Sequence, residues 1–123
     1  MDVKKRVLII GGGASGLAAA VWAARQGARV TVVEHMDRVG KKILSTGNGR
    51  CNLTNLRMEE DCYRCGQKGF PMEVIRGFGV DETLAFFKGL GIEPKDRNGY
   101  IYPNSDQASA VLDVLRSEVE RLG

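Results

Sequence analysis

The sequence predicts an α/β fold with a parallel β-sheet flanked by helices, and three consecutive features near the N-terminus predict it. Residues 7–10 form a continuous apolar run, which is typical of a strand buried on both faces. Gly11, Gly13 and Gly16 follow with the spacing G-x-G-x-x-G. Residues 17–24 are rich in alanine and favour a closely packed helix. A strand, a glycine turn and a helix in this order form the context in which the motif binds a dinucleotide.

The glycines have separate predicted roles. Gly11 allows a sharp turn out of the strand, and Gly13 lets a pyrophosphate approach the backbone. Gly16 lets the helix lie close to the strand, and the helix N-terminus offers N–H groups to the phosphates. A second strand at residues 28–33 ends in Glu34, at close to the ~20-residue spacing expected for the acid that binds the adenosine ribose. The alternative is a glycine-rich turn that binds nothing.

Composition predicts one small cytoplasmic domain. The chain has 123 residues, of which 43% are hydrophobic and 27% charged. It has no apolar run long enough to cross a membrane. Because the initial residues MDVKKR lead directly into the first strand, we expect no signal peptide. The net charge of +3 is mild, and the small basic cluster at Arg38, Lys41 and Lys42 suits an anionic cofactor better than a nucleic acid.

The three cysteines are Cys51, Cys62 and Cys65, and we expect them to be reduced. Cys62 and Cys65 form a single C-x-x-C pair, and His35 is the only histidine. This set cannot complete a four-ligand zinc site, so the sequence predicts no metal. We interpret the thiols as incidental, with a redox role or a shared metal as the alternatives.

The segment after Glu34 differs from a nicotinamide-binding domain, in which a helix and a third parallel strand follow. Residues 35–55 contain Gly40, Lys41 and Lys42, and then a run rich in glycine and asparagine. Lysines here can reach a pyrophosphate, and glycines let the backbone lie against a flat ligand. Asn and Thr side chains can bond to ribityl hydroxyls or ring edges. These features favour a ligand-binding loop over the alternative, a solvated surface loop.

Two stretches resemble the BaiN/YhiN family of flavoproteins: residues 11–16 with Glu34, and the denser motif at residues 40–55. The resemblance continues more loosely through residues 99–103 and Ser105, so it covers most of the chain. It implies the N-terminal part of a Rossmann-like FAD-binding domain that is incomplete in this chain. It also implies an FAD-dependent oxidoreductase, since the family includes aminoacetone oxidases and 3-dehydro-bile-acid reductases.

The resemblance places some residues at positions that contact FAD: Ser15, Glu34, Lys41, Lys42, Gly47 and Asn52. Lys41 stands where arginine is common and keeps the charge, while Asn48 stands where glycine is common and tolerates a left-handed backbone. Together with the residue-based argument, the predicted cofactor-binding set is Gly11, Gly13, Ser15, Gly16, Glu34, Lys41, Lys42, Gly47, Gly49, Arg50, Asn52 and Thr54.

The second half of the chain predicts helices. Residues 71–78 favour a short helix with a proline in its first turn. Asp81 is predicted to cap a helix at residues 82–90. We expect Phe86 and Phe87 of this helix to belong to the core rather than to stack on a substrate.

A hairpin and a last helix complete the prediction. Asn98-Gly99 is a strong turn signal between short antiparallel strands, and Pro94 marks an edge strand. Asn104 or Ser105 is predicted to cap a helix at residues 106–122. Its predicted buried side is Ala110, Val111, Val114, Leu115, Val119 and Leu122.

We therefore expect the FAD-binding portion of a flavin-dependent oxidoreductase, with NAD(P)H as a candidate electron partner. No pair of residues indicates a catalytic acid, base or nucleophile. Because members of the resembled family are several times longer, the C-terminal part of the same protein is an expected partner. The alternatives are an NAD-binding dehydrogenase fragment, which leaves the loop at residues 40–55 unexplained, and a truncated nucleotide-binding fragment without activity.

Overall fold

A computed structural model describes residues 3–123, so the first two residues of MDVKKR, the segment for which no signal peptide is expected, lie outside the described part. The chain begins with a β-α-β unit. Strand β1 spans Arg6–Ile10, helix α1 spans Ala14–Arg25 and strand β2 spans Arg29–Val33. The two strands pair in parallel, which confirms the predicted arrangement of strand, glycine turn, helix and strand.

Helix α1 covers only one face of this two-stranded sheet. Leu17 and Val21 of α1 are fully buried, whereas Leu8 is 63% exposed and Ile10 is 84% exposed. Because alternate side chains of a strand point to opposite faces, one bare face exposes every second residue. The prediction that residues 7–10 are buried on both faces is therefore wrong for this chain.

A second sheet is antiparallel and lies downstream. It contains β3 at Thr54–Asn55, β4 at Pro94–Arg97 and β5 at Tyr100–Pro103, in the order β3-β5-β4. The sequence does not predict β3, because a strand of two residues has no periodicity and exists only through its pairing with β5.

The predicted hairpin is confirmed in β4 and β5. Asn98 and Gly99 connect these strands with φ values of 53° and 91°. Two successive left-handed residues form the turn that matches the twist of a hairpin. Strand β4 lies at the edge of the sheet, as Pro94 predicts.

Helices α2 and α3 span Phe70–Gly77 and Val80–Gly89. The N-cap of α3 is Gly79, whose N–H donates to the Glu82 carboxylate at 3.1 Å. The prediction that Asp81 is the cap is wrong, since Asp81 lies inside the first turn. An acidic residue suits that turn equally well, because it faces the positive end of the helix dipole.

Helix α4 spans Ala108–Leu122 and begins later than predicted, with Gln107 as its N-cap. The expected cap at Asn104 or Ser105 is therefore wrong. The Ser105 hydroxyl instead accepts a hydrogen bond from the Gln107 N–H at 3.3 Å and stabilises the approach to the helix.

The core lies where α4 packs against α1 and against the 3-10 helical segment Lys41–Gly49. Phe86 is buried there, as predicted, and Leu112 is buried although the sequence did not single it out. None of the helices within residues 3–123 has both the length and the apolar character needed to cross a membrane. The buried members of the core are Leu17, Val21, Ile43, Cys51, Phe86, Ile92, Ala108, Val111, Leu112 and Leu115.

Candidate functional site

The turn after β1 gives each predicted glycine a different environment. Gly11 has a φ of 103°, which favours glycine, and its N–H donates to the Val33 carbonyl at 2.7 Å. A Cβ at Gly16 would overlap the Gly11 carbonyl oxygen, so the helix lies this close only because residue 16 is glycine. A Cβ at Gly13 would meet no atom within 4 Å. The space beside Gly13 is therefore open to a ligand.

Helix α1 begins beside this open space. Its first helical hydrogen bond is donated by the Leu17 N–H to the Gly13 carbonyl at 2.9 Å, so the N–H groups of Ala14, Ser15 and Gly16 come before it. Within the described chain, no side chain caps this terminus and no acidic residue occupies its first turn. N–H groups at the positive end of a helix dipole bind anions. Ser15 is thus located at a terminus that suits phosphates.

The Glu34 carboxylate lies against the glycine turn. It accepts hydrogen bonds from the N–H groups of Gly12 and Met36, both at 2.9 Å, and His35 Nδ1 lies 3.1 Å from its Oε2. The Met36 N–H and then the Gly12 N–H lower the pKa of Glu34 below its usual value. The group is therefore a carboxylate at neutral pH. Its oxygens have further lone pairs, which can accept hydrogen bonds from ribose hydroxyls.

A cleft of about 440 Å³ brings part of the predicted set together. Gly13, Glu34, Lys41 and Lys42 of the predicted set all line it. Lys41 Nζ lies 3.4 Å from a carboxylate oxygen of Asp37, so part of its charge is compensated. The cleft also has lining residues outside the predicted set: His35, Met36, Arg38, Gly40 and Ser45.

Some of these additional residues had a signal in the sequence. Arg38 belongs to the basic cluster, and Gly40 opens the loop that contains the two lysines. His35 and Met36 enter the cleft because they follow Glu34 directly, and no residue pattern marks them.

The loop at residues 47–49 folds back on itself. Gly47, Asn48 and Gly49 have φ values of 54°, 58° and 85°, which interrupt the surrounding 3-10 helix. Asn48 is thus left-handed at a position where the resembled family often has glycine. A Cβ at Gly47 would lie 2.5 Å from the Asn52 backbone nitrogen, so glycine is required for the close approach.

Asn52 attaches this loop to β5. Its Nδ2 donates to the carbonyl oxygens of Thr54 and Ile101, both at 3.0 Å. Since the amide donor is used within the protein, the Asn52 Oδ1 is the atom left for a ligand. A smaller cavity of about 180 Å³ is lined by Asn52 together with Ala14, Thr46 and other residues. Ala14 adjoins Gly13 in the chain, so this cavity follows the first cleft along α1.

Seven predicted residues line neither of these two cavities: Gly11, Ser15, Gly16, Gly47, Gly49, Arg50 and Thr54. Gly49 and Arg50 are exposed beside the loop. Thr54 is only 8% exposed, and its hydroxyl has no hydrogen-bond partner among the described residues. The structure therefore places Thr54 in the protein interior, and its predicted cofactor contact stays a prediction.

The cysteines differ in burial. Cys51 is buried, and burial raises the pKa of its thiol, whereas Cys62 and Cys65 are exposed. Among the described residues 3–123, no cluster of three or more His, Cys, Asp or Glu side chains is arranged to hold a metal ion.

Comparison with known families gives a match along nearly the whole chain. The family described as HI0933-like protein Rossmann domain matches residues 5–123. The match begins one residue before β1 and includes the glycine turn, Glu34 and the loop that lines the cleft.

Three curated relatives are similar to the chain. The 3-dehydro-bile acid delta(4,6)-reductase of Clostridium scindens is 52% identical over 118 residues, covering 94% of this chain and 29% of the relative. The ribosomal RNA dihydrouridine synthase of Escherichia coli is 30% identical over 115 residues, covering 93% of this chain and 28% of the relative. The flavin-dependent monooxygenase eupH of Phoma sp is 33% identical over 122 residues, covering 95% of this chain and 25% of the relative. The chain therefore spans less than a third of the length of these relatives.

A solved structure supports the fold. THI4 of Thermovibrio ammonificans superposes with a TM-score of 0.58 and 19% sequence identity, covering 98% of this chain and 36% of that one. Similarity at this identity concerns the fold alone. Together with the family match, it confirms the predicted Rossmann-type α/β fold.

Proposed function

Because the chain belongs to the family of HI0933-like proteins and matches their Rossmann domain, we propose that it binds FAD as the nucleotide-binding part of a flavin-dependent oxidoreductase. The similarity to a reductase and to a flavin-dependent monooxygenase supports a flavin as the cofactor. Residues of this chain favour FAD over the shorter FMN.

The observation that carries the proposal is the hydrogen bond from the Gly12 N–H to the Glu34 carboxylate at 2.9 Å. It joins the turn suited to a pyrophosphate to the carboxylate suited to a ribose. Pyrophosphate and ribose are adjacent groups of one ADP moiety, and FAD contains that moiety whereas FMN does not.

The other residues of the cleft fit the same ligand. The N–H groups at the start of α1 are available to phosphate oxygens, and the open space at Gly13 gives access to them. Lys41 and Lys42 line the cleft and would offset phosphate charge. Asn52 lines the second cavity together with Ala14 and Ala18 of α1, and there its Oδ1 would accept a hydrogen bond from the ribityl chain or the ring.

A bound flavin supplies the hydride or electron transfer, and the protein supplies binding, orientation and electrostatics. The described residues of this chain bind and orient: the helix terminus holds the phosphates, and Glu34 fixes the adenosine. We assign no proton transfer to any of these side chains. For the whole protein we propose NAD(P)H as the electron donor, because a reductase needs a source of electrons and a nicotinamide is an ordinary donor to a flavin.

Competition binding tests the proposal. The chain is titrated with FAD by flavin fluorescence, and ADP, FMN and NAD are then added as competitors. We expect ADP to displace FAD, because both occupy the cleft at Glu34, and FMN to fail. Displacement by FMN but not by ADP would contradict the proposal. Tighter binding of NAD than of FAD would favour a nicotinamide-binding dehydrogenase.

A matched pair of variants tests the role of Glu34. The Glu34→Gln change removes the charged acceptor, and we expect FAD affinity to fall about tenfold, which corresponds to one charge-assisted hydrogen bond. Glu118→Gln makes the same chemical change on α4, where the carboxylate pairs with Arg25 and Arg121. It should leave FAD affinity unchanged. Equal weakening in both variants would argue against a ribose contact at Glu34.

A further inference from the structure

We propose that the dipeptide Val39-Gly40 positions the phosphate-binding turn, and that Leu112 of α4 acts on the cofactor through it. This inference rests on the proposed FAD site. At its centre is Gly12, whose N–H donates to Glu34 at 2.9 Å and whose carbonyl accepts the Gly40 N–H at 2.6 Å. Both polar backbone groups of Gly12 are thus fixed by residues that follow β2.

The G-x-G-x-x-G pattern allows any residue at position 12, whereas the structure leaves little room for a side chain there. A Cβ at Gly12 would lie 2.6 Å from Cγ1 of Val39 and 3.1 Å from its Cβ. Val39 therefore packs directly on the bare α-carbon of Gly12. Because Gly12 precedes Gly13, its orientation sets the direction of the backbone that lines the open space for the phosphates.

Gly40 itself packs against side chains of the core. It has a φ of 68°, and a Cβ added to it would overlap Cδ1 of Leu112 and lie 3.4 Å from Cδ1 of Leu17. Leu112 is 4% exposed and Leu17 is fully buried, so neither side chain has free space to move into. Gly40 is therefore enclosed between the glycine turn and the core.

This chain of contacts gives Leu112 a positioning role. Leu112 does not line the cleft, yet it limits where Gly40 can lie, and Gly40 holds the carbonyl of Gly12. A substitution at Leu112 that displaces Gly40 should therefore alter both the affinity for the cofactor and the stability of the fold. A residue that serves only the core would alter stability alone.

The test compares Gly40→Ala with the double variant Gly40→Ala/Leu112→Ala. The added methyl displaces Gly40 from Gly12, and we expect FAD affinity to fall about tenfold, as for one lost hydrogen bond. The double variant removes the overlapping atom and should recover part of that affinity. Gly27→Ala is the matched control, because Gly27 has a φ of 90° and no atom within 4 Å of its added Cβ. It also places an alanine at a positive φ, without any overlap, and should keep wild-type affinity.

Val39→Ala keeps the test decisive if Gly40→Ala does not fold, because it removes the contact on Gly12 without any overlap. We expect a loss of FAD affinity of about threefold. All affinities are measured at a temperature at which circular dichroism shows the variant to be folded. Unchanged affinity in Val39→Ala, equal loss in Gly27→Ala, or no recovery in the double variant would overturn the positioning role.

Amide hydrogen exchange without FAD separates this proposal from the proposed function. We expect the Gly40 N–H to be protected in the wild type, and the amide of residue 40 to exchange at least about tenfold faster in Gly40→Ala. The Gly11 N–H, which donates to Val33, should keep its protection in both. A protected Gly40 amide in a chain that binds no FAD would overturn the FAD proposal while confirming the backbone contact. An unprotected Gly40 amide in a chain that binds FAD would overturn only the positioning role.

Discussion

The two ends of the candidate site are held in place by different kinds of contact. At the end formed by β1, α1 and β2, the glycine turn bonds to Val33 and Glu34, within one β-α-β unit. At the other end, Asn52 bonds to the Ile101 carbonyl, 49 positions away in the sequence. The first end is therefore built on a local motif, to which Gly40 of the following loop adds one hydrogen bond. The second end depends on a sheet that forms only when distant segments meet.

The largest expected effect is a loss of stability in Gly16→Ala at the first end, which distinguishes a glycine needed for folding from one needed for binding. In Gly16→Ala the new Cβ meets a backbone carbonyl that cannot rotate away, so we expect a loss of about 3 kcal/mol or more in the free energy of unfolding. Chemical denaturation measures this loss.

Gly13→Ala is the matched control for that change. Its Cβ enters open space, so stability should change by less than about 1 kcal/mol while FAD affinity falls, because the methyl occupies the approach of the phosphates. Equal destabilisation by the two variants would contradict the separate roles of these glycines.

A smaller effect is expected at the second end. Asn52→Ala removes one hydrogen bond to Thr54 of β3 and one to Ile101 of β5, and we expect it to lower the free energy of unfolding by about 2 kcal/mol. Asn48→Gly is the control in the same loop, because Asn48 has a φ of 58° that glycine adopts without strain. It should change stability by less than about 0.5 kcal/mol. If Asn52→Ala is equally neutral, the loop does not depend on β5.

The sequence predicted the first end well because its determinants are contiguous. A β-α-β unit with Gly11, Gly13 and Glu34 follows from apolar runs and spacing, and the structure brings Glu34 to the turn. The hydrogen bond from the Gly40 N–H to the Gly12 carbonyl could not be predicted from the sequence. A helix and a strand separate these two residues in the chain, and no sequence pattern relates them.

The contacts at the second end could be predicted from the sequence only in part. The hydrogen bond from the Asn52 amide to the Ile101 carbonyl needs β5 beside the loop, and only the folded chain brings β5 there. The left-handed turn at Asn98-Gly99 was predictable because its chemistry is local. The caps of α3 and α4 were misplaced by a few residues, because Gly79 and Gln107 carry no strong capping signal.

The smallest expected effect is a pH dependence in α4, which packs against both ends. Hydrogen bonds from Arg121 and then Arg25 lower the pKa of Glu118 from 4.5 to about 2. The stabilisation by the carboxylate is therefore fully present above pH 4.5 and is lost as the pH falls through about 2.

The melting temperatures of the wild type and Glu118→Gln, compared over a range of pH, measure the contribution of this carboxylate to stability. The gap in melting temperature between wild type and variant should be constant above pH 4.5 and should close as the pH approaches 2. The gap should be small, since ion pairs near the surface contribute little. A gap that widens on acidification would contradict the assignment.

Amide chemical shifts recorded during FAD titration test most directly whether the glycine turn and the start of α1 hold the ADP moiety. We expect the largest shifts at Gly13, Ala14 and Ser15, and smaller ones at Lys41 and Lys42. Saturable FAD binding that leaves the amides of Gly13, Ala14 and Ser15 unshifted would contradict it.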